Sequence, residues 1–523
     1  MKKCSIGLLF ILVLILQACG GGEEPAESED VDTEEGEQTE GGVLEVALDA
    51  QPPNLDPPMS SAIATRDTGR LVFETLLTTD ENFQPAPMLA ESVETDDNRL
   101  FTFHLREGVT FHNGEEFVAE DAIASMERWQ EVSPLTGTIF DGAEWREVDE
   151  YTIELELVEA SSLTLDTISS VKHAAAIMPK DVVEGAEADG VTEYIGTGPY
   201  EFVEWKQDQY MKFERYDDYV GMDTPQDGLT GEKNALFDEI VFHIVNDVST
   251  RLAGLQSGEF DFSFGIHYDS YDQLENDDSL ESILDINGVL VMKYNLMKGI
   301  AADPEMREVV NLALDIDEIM AASFPNEDLY WLHSGYMDED LANWKSDAGE
   351  EYFNNNDPEK AKELLDEIGY DGETFRIMAT RDYEHFYNAA VVIQDQLKAI
   401  GMNVDLDIYD WPTMFDKFDD VDDYDAFIVS FSVASTPPQF LALSPTWGGG
   451  FEDDHAVDLM ANVETAPTLE EAKEYWDELQ EYSWEEFLPI TSFGSFHNLY
   501  GASSELEGIT TYSGPVFWNA SFK

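Results

Sequence analysis

The stretch Phe375–Phe431, FRIMATRDYEHFYNAAVVIQDQLKAIGMNVDLDIYDWPTMFDKFDDVDDYDAFIVSF, decides the fold. It alternates strand-like and helix-like patterns in the manner of βαβ units, which places the chain in the α/β class. A strand over 375–379 leads into a loop over 380–383. A helix follows, with Ala389, Val392, Ile393, Gln396, Leu397 and Ile400 along one side and Gly401 placed to end it in a left-handed turn. The next strand spans 403–409. Then come Asp410, Trp411 and Pro412, a short helix from Thr413, and a buried strand over 426–431. In parallel sheets of this kind, ligands sit outside the carboxyl ends of the strands. Arg381, Trp411 and Phe431 fall at or just past such ends, so one rim carries a cation and two aromatics, as a small-molecule cleft requires.

Outward from this stretch, short β-like runs occur at 43–48, 100–105, 152–157 and 240–245, and no fixed-period repeat is evident. Asp303-Pro304 ahead of 306–322 and Asp357-Pro358 ahead of 361–368 mark two helix starts, because an acidic side chain caps and proline suits the first turn.

The amino terminus has a different character. Lys2 and Lys3 precede an apolar run over 6–16, then Gln17, Ala18 and Cys19, the layout of a secretory leader over 1–18. That run is too short for a permanent membrane span, which needs about 20 apolar residues. Ala18-Cys19 resembles a bacterial lipobox, which implies lipidation of Cys19; an ordinary leader cut elsewhere is the alternative. Residues 19–42 are rich in glycine and acids with almost nothing apolar, so they form a disordered, charge-extended tether.

The chain's 523 residues, 43% hydrophobic and 12% aromatic, supply several cores. Its 27 basic against 111 acidic residues give a formal charge of -84, which excludes nucleic acid as a partner and suits a protein facing salty or alkaline medium outside the cell. Cys4 and Cys19, the two cysteines, both lie at the leader, so the folded part has neither disulfides nor thiolate metal sites. The nine histidines form no spaced ligand cluster, and His104 and His112 read as structural, so no metal is expected. Gly196-Thr197-Gly198-Pro199-Tyr200 lacks the glycine-lysine and hydroxyl residue of a phosphate loop and reads as a tight turn. Neither a Gly-x-Ser-x-Gly elbow nor a His-Glu-x-x-His helix is present.

Several ordered stretches carry a family likeness. They include Pro53-Asn54-Leu55-Asp56-Pro57, Phe73-Glu74-Thr75-Leu76-Leu77 and Leu89-Ala90-Glu91-Ser92. After these come the run FTFHLREGVTFHNG over 101–114, Ala119-Glu120-Asp121-Ala122, 195–200, RLAGLQSGEFD over 251–261 and Asp357-Pro358-Glu359-Lys360-Ala361. Together they resemble the family 5 bacterial extracellular solute-binding proteins, which include dipeptide-, oligopeptide-, nickel- and glutathione-binding members.

The resemblance implies a two-lobed, periplasmic-binding-protein-like α/β fold of type II, in its large peptide-binding subclass. Lobe I would comprise a core of 43–58, 197–290 and 488–523 with an extra subdomain over 59–196, and lobe II would span 291–487, joined by crossover strands acting as a hinge. It further implies a monomer with no cofactor or catalytic chemistry. Such a protein is lipid-anchored at the outer face of the cell membrane, closes on a small-molecule or peptide ligand and docks on an ABC permease.

By the same resemblance Arg381 would hold a ligand carboxylate, although a structural ion pair explains it equally. Trp411 would line the cleft, with core packing as the alternative. Phe431 would stand at the rim, and Trp447, ahead of three glycines, would join them. Where peptide-binding relatives carry an aspartate for the peptide amino terminus, this chain has Val433-Ala434-Ser435. A buried ammonium would lack its partner there, which points to an acidic or hydroxyl-rich, opine-like ligand, with a peptide gripped through other groups left open. A secreted glycosidase working through two carboxylates and a solute-presenting sensor are the competing functions.

Overall fold

The computed structural model describes residues 40–523 except 339, 340 and 342. The leader, Cys19 and the tether as far as residue 39 lie outside the described residues.

Two long strands, Leu280–Tyr294 and Ile490–Ser503, pair antiparallel and run through the middle of one eleven-stranded sheet. On one side follow Ala426–Ser432, Thr374–Thr380 and Asn403–Tyr409; on the other, Phe262–Ser263, Val43–Leu48, Glu239–Ile244, Tyr210–Arg215 and Tyr200–Lys206; the eleventh strand, Tyr330–Trp331, pairs with Ile490–Ser503 off this order. The strands of the 375–431 stretch are mutually parallel, but Ala426–Ser432 meets Leu280–Tyr294 antiparallel, so the sheet is mixed.

Alternation explains why the long strands sit centrally. Leu290, Met292 and Tyr294 enter one apolar cluster, with helices Pro304–Ala313, Ile316–Ser323 and Glu384–Ala399. Val289 and Val291 enter another, beneath helices Asp454–Thr465 and Leu469–Tyr482. A strand apolar on both faces must be covered on both. Each fully buried large side chain contributes about 1.5–3 kcal/mol, so the shared strands hold both layers together.

A third cluster surrounds Leu44, Val46 and Leu48 with Phe213, Phe242, Phe517 and Trp518. The fourth lies under a separate antiparallel sheet of Ala90–Glu94, Leu100–Leu105, Thr152–Glu156 and Glu144–Asp149, where Met126 and Trp129 of helix Ala119–Val132 are fully buried.

One local expectation changes. The single helix over 306–322 is two, because the chain turns at Leu314 and Asp315 and the Asp315 carboxylate caps the second helix, accepting from the Glu318 N–H at 3.0 Å. A Cβ on Gly196 would lie 2.0 Å from the Val72 carbonyl oxygen and one on Gly198 2.4 Å from that of Leu71, so the glycines allow two backbones to cross in contact.

Candidate functional site

A cavity of about 500 Å³ opens between two walls that are distant in sequence. One wall comes from Ser61, residues 134–139 and Thr167, Lys172 and His173; the other comes from Trp411, Phe415 and Phe418, residues 429–432, Thr436, Pro438, Gln439, Leu441, Trp447 and Glu464. It has the size of a small-ligand site.

The second wall is aromatic, and capping builds it. Asp410 caps helix Trp411–Asp416, its carboxylate accepting from Thr413 N–H at 3.0 Å, and Pro412 fits the first turn. Asp382 accepts the Trp411 N–H at 2.7 Å, and the indole meets the Tyr383 ring edge-on at 5.3 Å. Phe418 stacks on Phe427 at 4.1 Å and meets Trp447 at 5.3 Å. Phe431, at the end of its strand, stands 5.3 Å from Trp447 and 5.0 Å from Phe440. Trp447 is fixed by the glycines after it: Gly449 has φ +78, and a Cβ there would come within 3.0 Å of both the Asn295 Cα and the Tyr424 hydroxyl. Such planar surfaces hold the apolar parts of a ligand and exclude water.

Three of the four residues singled out in the sequence, Trp411, Phe431 and Trp447, therefore share the cavity. Arg381 stands apart. Its guanidinium lies over the Tyr387 ring at 4.5 Å and donates to the Tyr387 hydroxyl at 2.9 Å, and it does not line the cavity.

The cation in the wall is Lys172, which motif reasoning passed over. Its Nζ donates to the Ser432 carbonyl at 2.8 Å, linking the two walls. Burial, reinforced by repulsion from Arg66, lowers its pKa to about 7. His173 beside it adopts φ +46, a strained conformation for histidine. That turn is pinned on two sides, by the Trp129 indole donating to the His173 carbonyl at 2.8 Å and by His173 Nδ1 lying 3.2 Å from the Pro58 carbonyl. The available signal was a lone Lys-His pair inside a small and apolar run in a chain with few cations.

Beyond the cavity the two walls meet directly. Ser161 Oγ donates to the Glu464 carbonyl at 2.7 Å, Ser162 N–H to that of Ala466 at 3.0 Å, and Asn98 Nδ2 to that of Pro467 at 2.9 Å. Leu163 is fully buried in the cluster that contains Val463 and Ala466. Thr138 Oγ1 holds the Glu464 carboxylate at 2.5 Å. A larger groove of about 710 Å³, lined by Glu120, Glu127, Glu131, Glu184 and Glu187, involves residues 59–188 alone. A solute there would touch one wall only and could not draw two bodies together.

His112 is structural. Its Nε2 lies 2.9 Å from the Gly198 carbonyl, its Nδ1 accepts from Gly196 N–H at 3.3 Å, and burial lowers its pKa. Among the described residues, no group of three or more His, Cys, Asp or Glu is arranged to hold a metal ion, and no helix is long and apolar enough to cross a membrane.

Comparison with known proteins identifies the family and the fold. The family model for bacterial extracellular solute-binding proteins, family 5 (middle), matches residues 84–451, more than half of the chain. A probable peptide ABC transporter periplasmic-binding protein, y4tO, of Sinorhizobium fredii is 28% identical over 485 residues, covering 89% of this chain and 91% of that protein. The oligopeptide-binding protein AppA of Bacillus subtilis is 24% identical over 463 residues, covering 83% and 81%. Among solved structures, AppA of Bacillus subtilis with a nonapeptide superimposes with a TM-score of 0.74 at 20% identity, covering 93% of this chain and 100% of that one. AgaA with agropinic acid, from A. tumefaciens R10, gives 0.74 at 22%, covering 92% and 99%. The fold is thus the two-lobed α/β fold of these binding proteins.

Proposed function

Because the chain belongs to the bacterial extracellular solute-binding proteins of family 5, we propose that it captures a small solute in the cavity between its lobes and delivers it to the permease of an ABC importer. The observation that supports this most is the cavity's two-sided construction: a solute lying against Lys172 on one wall and Trp411, Phe431 and Trp447 on the other favours the shut form over the open one.

In this reading 291–487 forms the second lobe and the remainder of the folded chain the first. The hinge lies where the long strands are irregular. Their register shifts between Ile286 and Gly288 and between Leu290 and Val291. Gly288 has φ +143 and Gly494, opposite Leu290, has φ +115. Glycine at both places lets the strands bend without steric cost. The protein works as a monomer held at the outer face of the membrane by a lipid on Cys19.

A glycosidase needs two carboxylates across its substrate. Among the cavity-lining residues Glu464 is the one carboxylate, and it is engaged by Thr138. Titration of a peptide and opine set, followed by tryptophan fluorescence and small-angle scattering, tests the receptor function. Saturable quenching, a smaller radius of gyration and recovery of the solute intact are expected. A cleaved solute would indicate an enzyme, and silence across the whole set would contradict the receptor.

A further inference from the structure

We propose that Lys172 is the ligand anchor of this cavity and that it selects a small organic anion with an apolar body, in place of the free-amine peptide that an aspartate at 433–435 would select. This rests on the receptor function above and specifies its ligand.

Three observations carry it. First, Lys172 lines the cavity and spends a hydrogen bond on a neutral carbonyl, that of Ser432. Among the described residues no carboxylate forms an ion pair with it, although the chain carries 111 acids. An ammonium with part of its surface removed from water and no counter-charge is costly unless a ligand supplies one. Secondly, the acceptor is the residue just before Val433-Ala434-Ser435. The corner where an ammonium-binding acid would stand is therefore occupied by a cation, and a ligand ammonium would be repelled from it. Thirdly, the other polar and charged groups nearby are already engaged. Among the lining residues the Glu464 carboxylate accepts from Thr138 Oγ1 and His173 Nδ1 lies 3.2 Å from the Pro58 carbonyl, and Arg66, outside the lining, is bound to Asp67 through Nε at 2.6 Å and Nη2 at 3.0 Å.

The opposite wall sets the rest of the ligand. Trp411, Phe415, Phe418, Phe431 and Trp447 present rings, and a cavity of about 500 Å³ admits a molecule of roughly dipeptide size. The Lys172–Ser432 bond also bridges the walls without a ligand, so a carboxylate arriving at Nζ replaces one cross-lobe contact with a charge-assisted one.

The test is calorimetric titration of the full chain with three probes that share one body: N-acetyl-Leu-Phe, its carboxamide, and Leu-Phe-amide with a free ammonium. The anionic probe is expected to bind at least tenfold more tightly than the neutral one and the cationic probe most weakly. Lys172→Met, with a melting temperature no lower than that of the unaltered protein, is expected to abolish the preference between acid and carboxamide, and Lys172→Arg to restore it. Equal affinity for the three probes, or a preference that survives Lys172→Met, would overturn the assignment of Lys172 while leaving the receptor intact. Failure of all three to bind would contradict the cavity as a solute site, and this inference with it.

Discussion

Lys233 and Lys172 are both lysines drawn away from the protein surface, and their surroundings treat them in opposite ways. Lys233 is 5% exposed and meets the Glu74 carboxylate at 2.8 Å, which also accepts the hydroxyls of Thr197 and Tyr219. Arg128 on Asp56 follows the same plan, with two hydrogen bonds of 3.0 and 2.5 Å. Lys172 has one carbonyl. At these two scaffold sites the charge is matched where it lies, because an unmatched buried charge costs stability. At the cavity the match is left for something that arrives from solution.

The largest effect is expected from breaking the scaffold's version. Glu74→Gln leaves Lys233 buried with no counter-charge, and a loss of about 3–5 kcal/mol in urea unfolding is expected. A loss below about 1 kcal/mol would mean that pairing does not distinguish the two lysines.

Lys293 sharpens the contrast, since it is fully buried, lacks a carboxylate and lies outside the cavity. Burial, with Arg307 nearby, lowers its pKa from 10.5 to about 7. Unfolding therefore takes up a proton between those values, so this group's contribution to stability rises with pH across that window. Lys293→Met is expected to stabilise the protein by about 2 kcal/mol. The gain is larger near about pH 6, where the buried amine is charged, than near about pH 9, where it is neutral. Thermal melts at the two pH values check the sign, and a gain that grows with pH would contradict it.

Within the cavity, Trp411→Ala removes a half-buried ring and is expected to weaken solute binding about tenfold, roughly 1.4 kcal/mol, with little change in melting. The smallest effect belongs to Arg381. Resting on Tyr387 outside the cavity, it is expected to alter affinity less than about twofold when changed to Ala. A tenfold loss at Arg381 by calorimetry would return the anchor to the loop after Thr374–Thr380.

The sequence made some of this legible and left the rest hidden. The 375–431 stretch could be read because its strands and helix are local and strongly patterned, and Asp410, Trp411 and Pro412 carry their own capping signal. The pairing of Leu280–Tyr294 with Ile490–Ser503 could not, because it joins segments about 200 residues apart through backbone hydrogen bonds, which no local pattern encodes. The break at Asp315 was hidden by apolar periodicity continuing through it, although Asp315 and Glu318 together suggest a cap. Trp411, Phe431 and Trp447 were singled out through chemistry and resemblance, and the fold gathers them at one cavity. Lys172 was missed because its importance comes from the fold bringing Ser432 to it.

The most direct measurement is native mass spectrometry of the freshly purified protein beside its Lys172→Met variant. The account predicts that the unaltered protein carries a small organic anion with a non-polar portion and that the variant emerges empty. An identical passenger on both proteins, or one bearing a net positive charge, would contradict it.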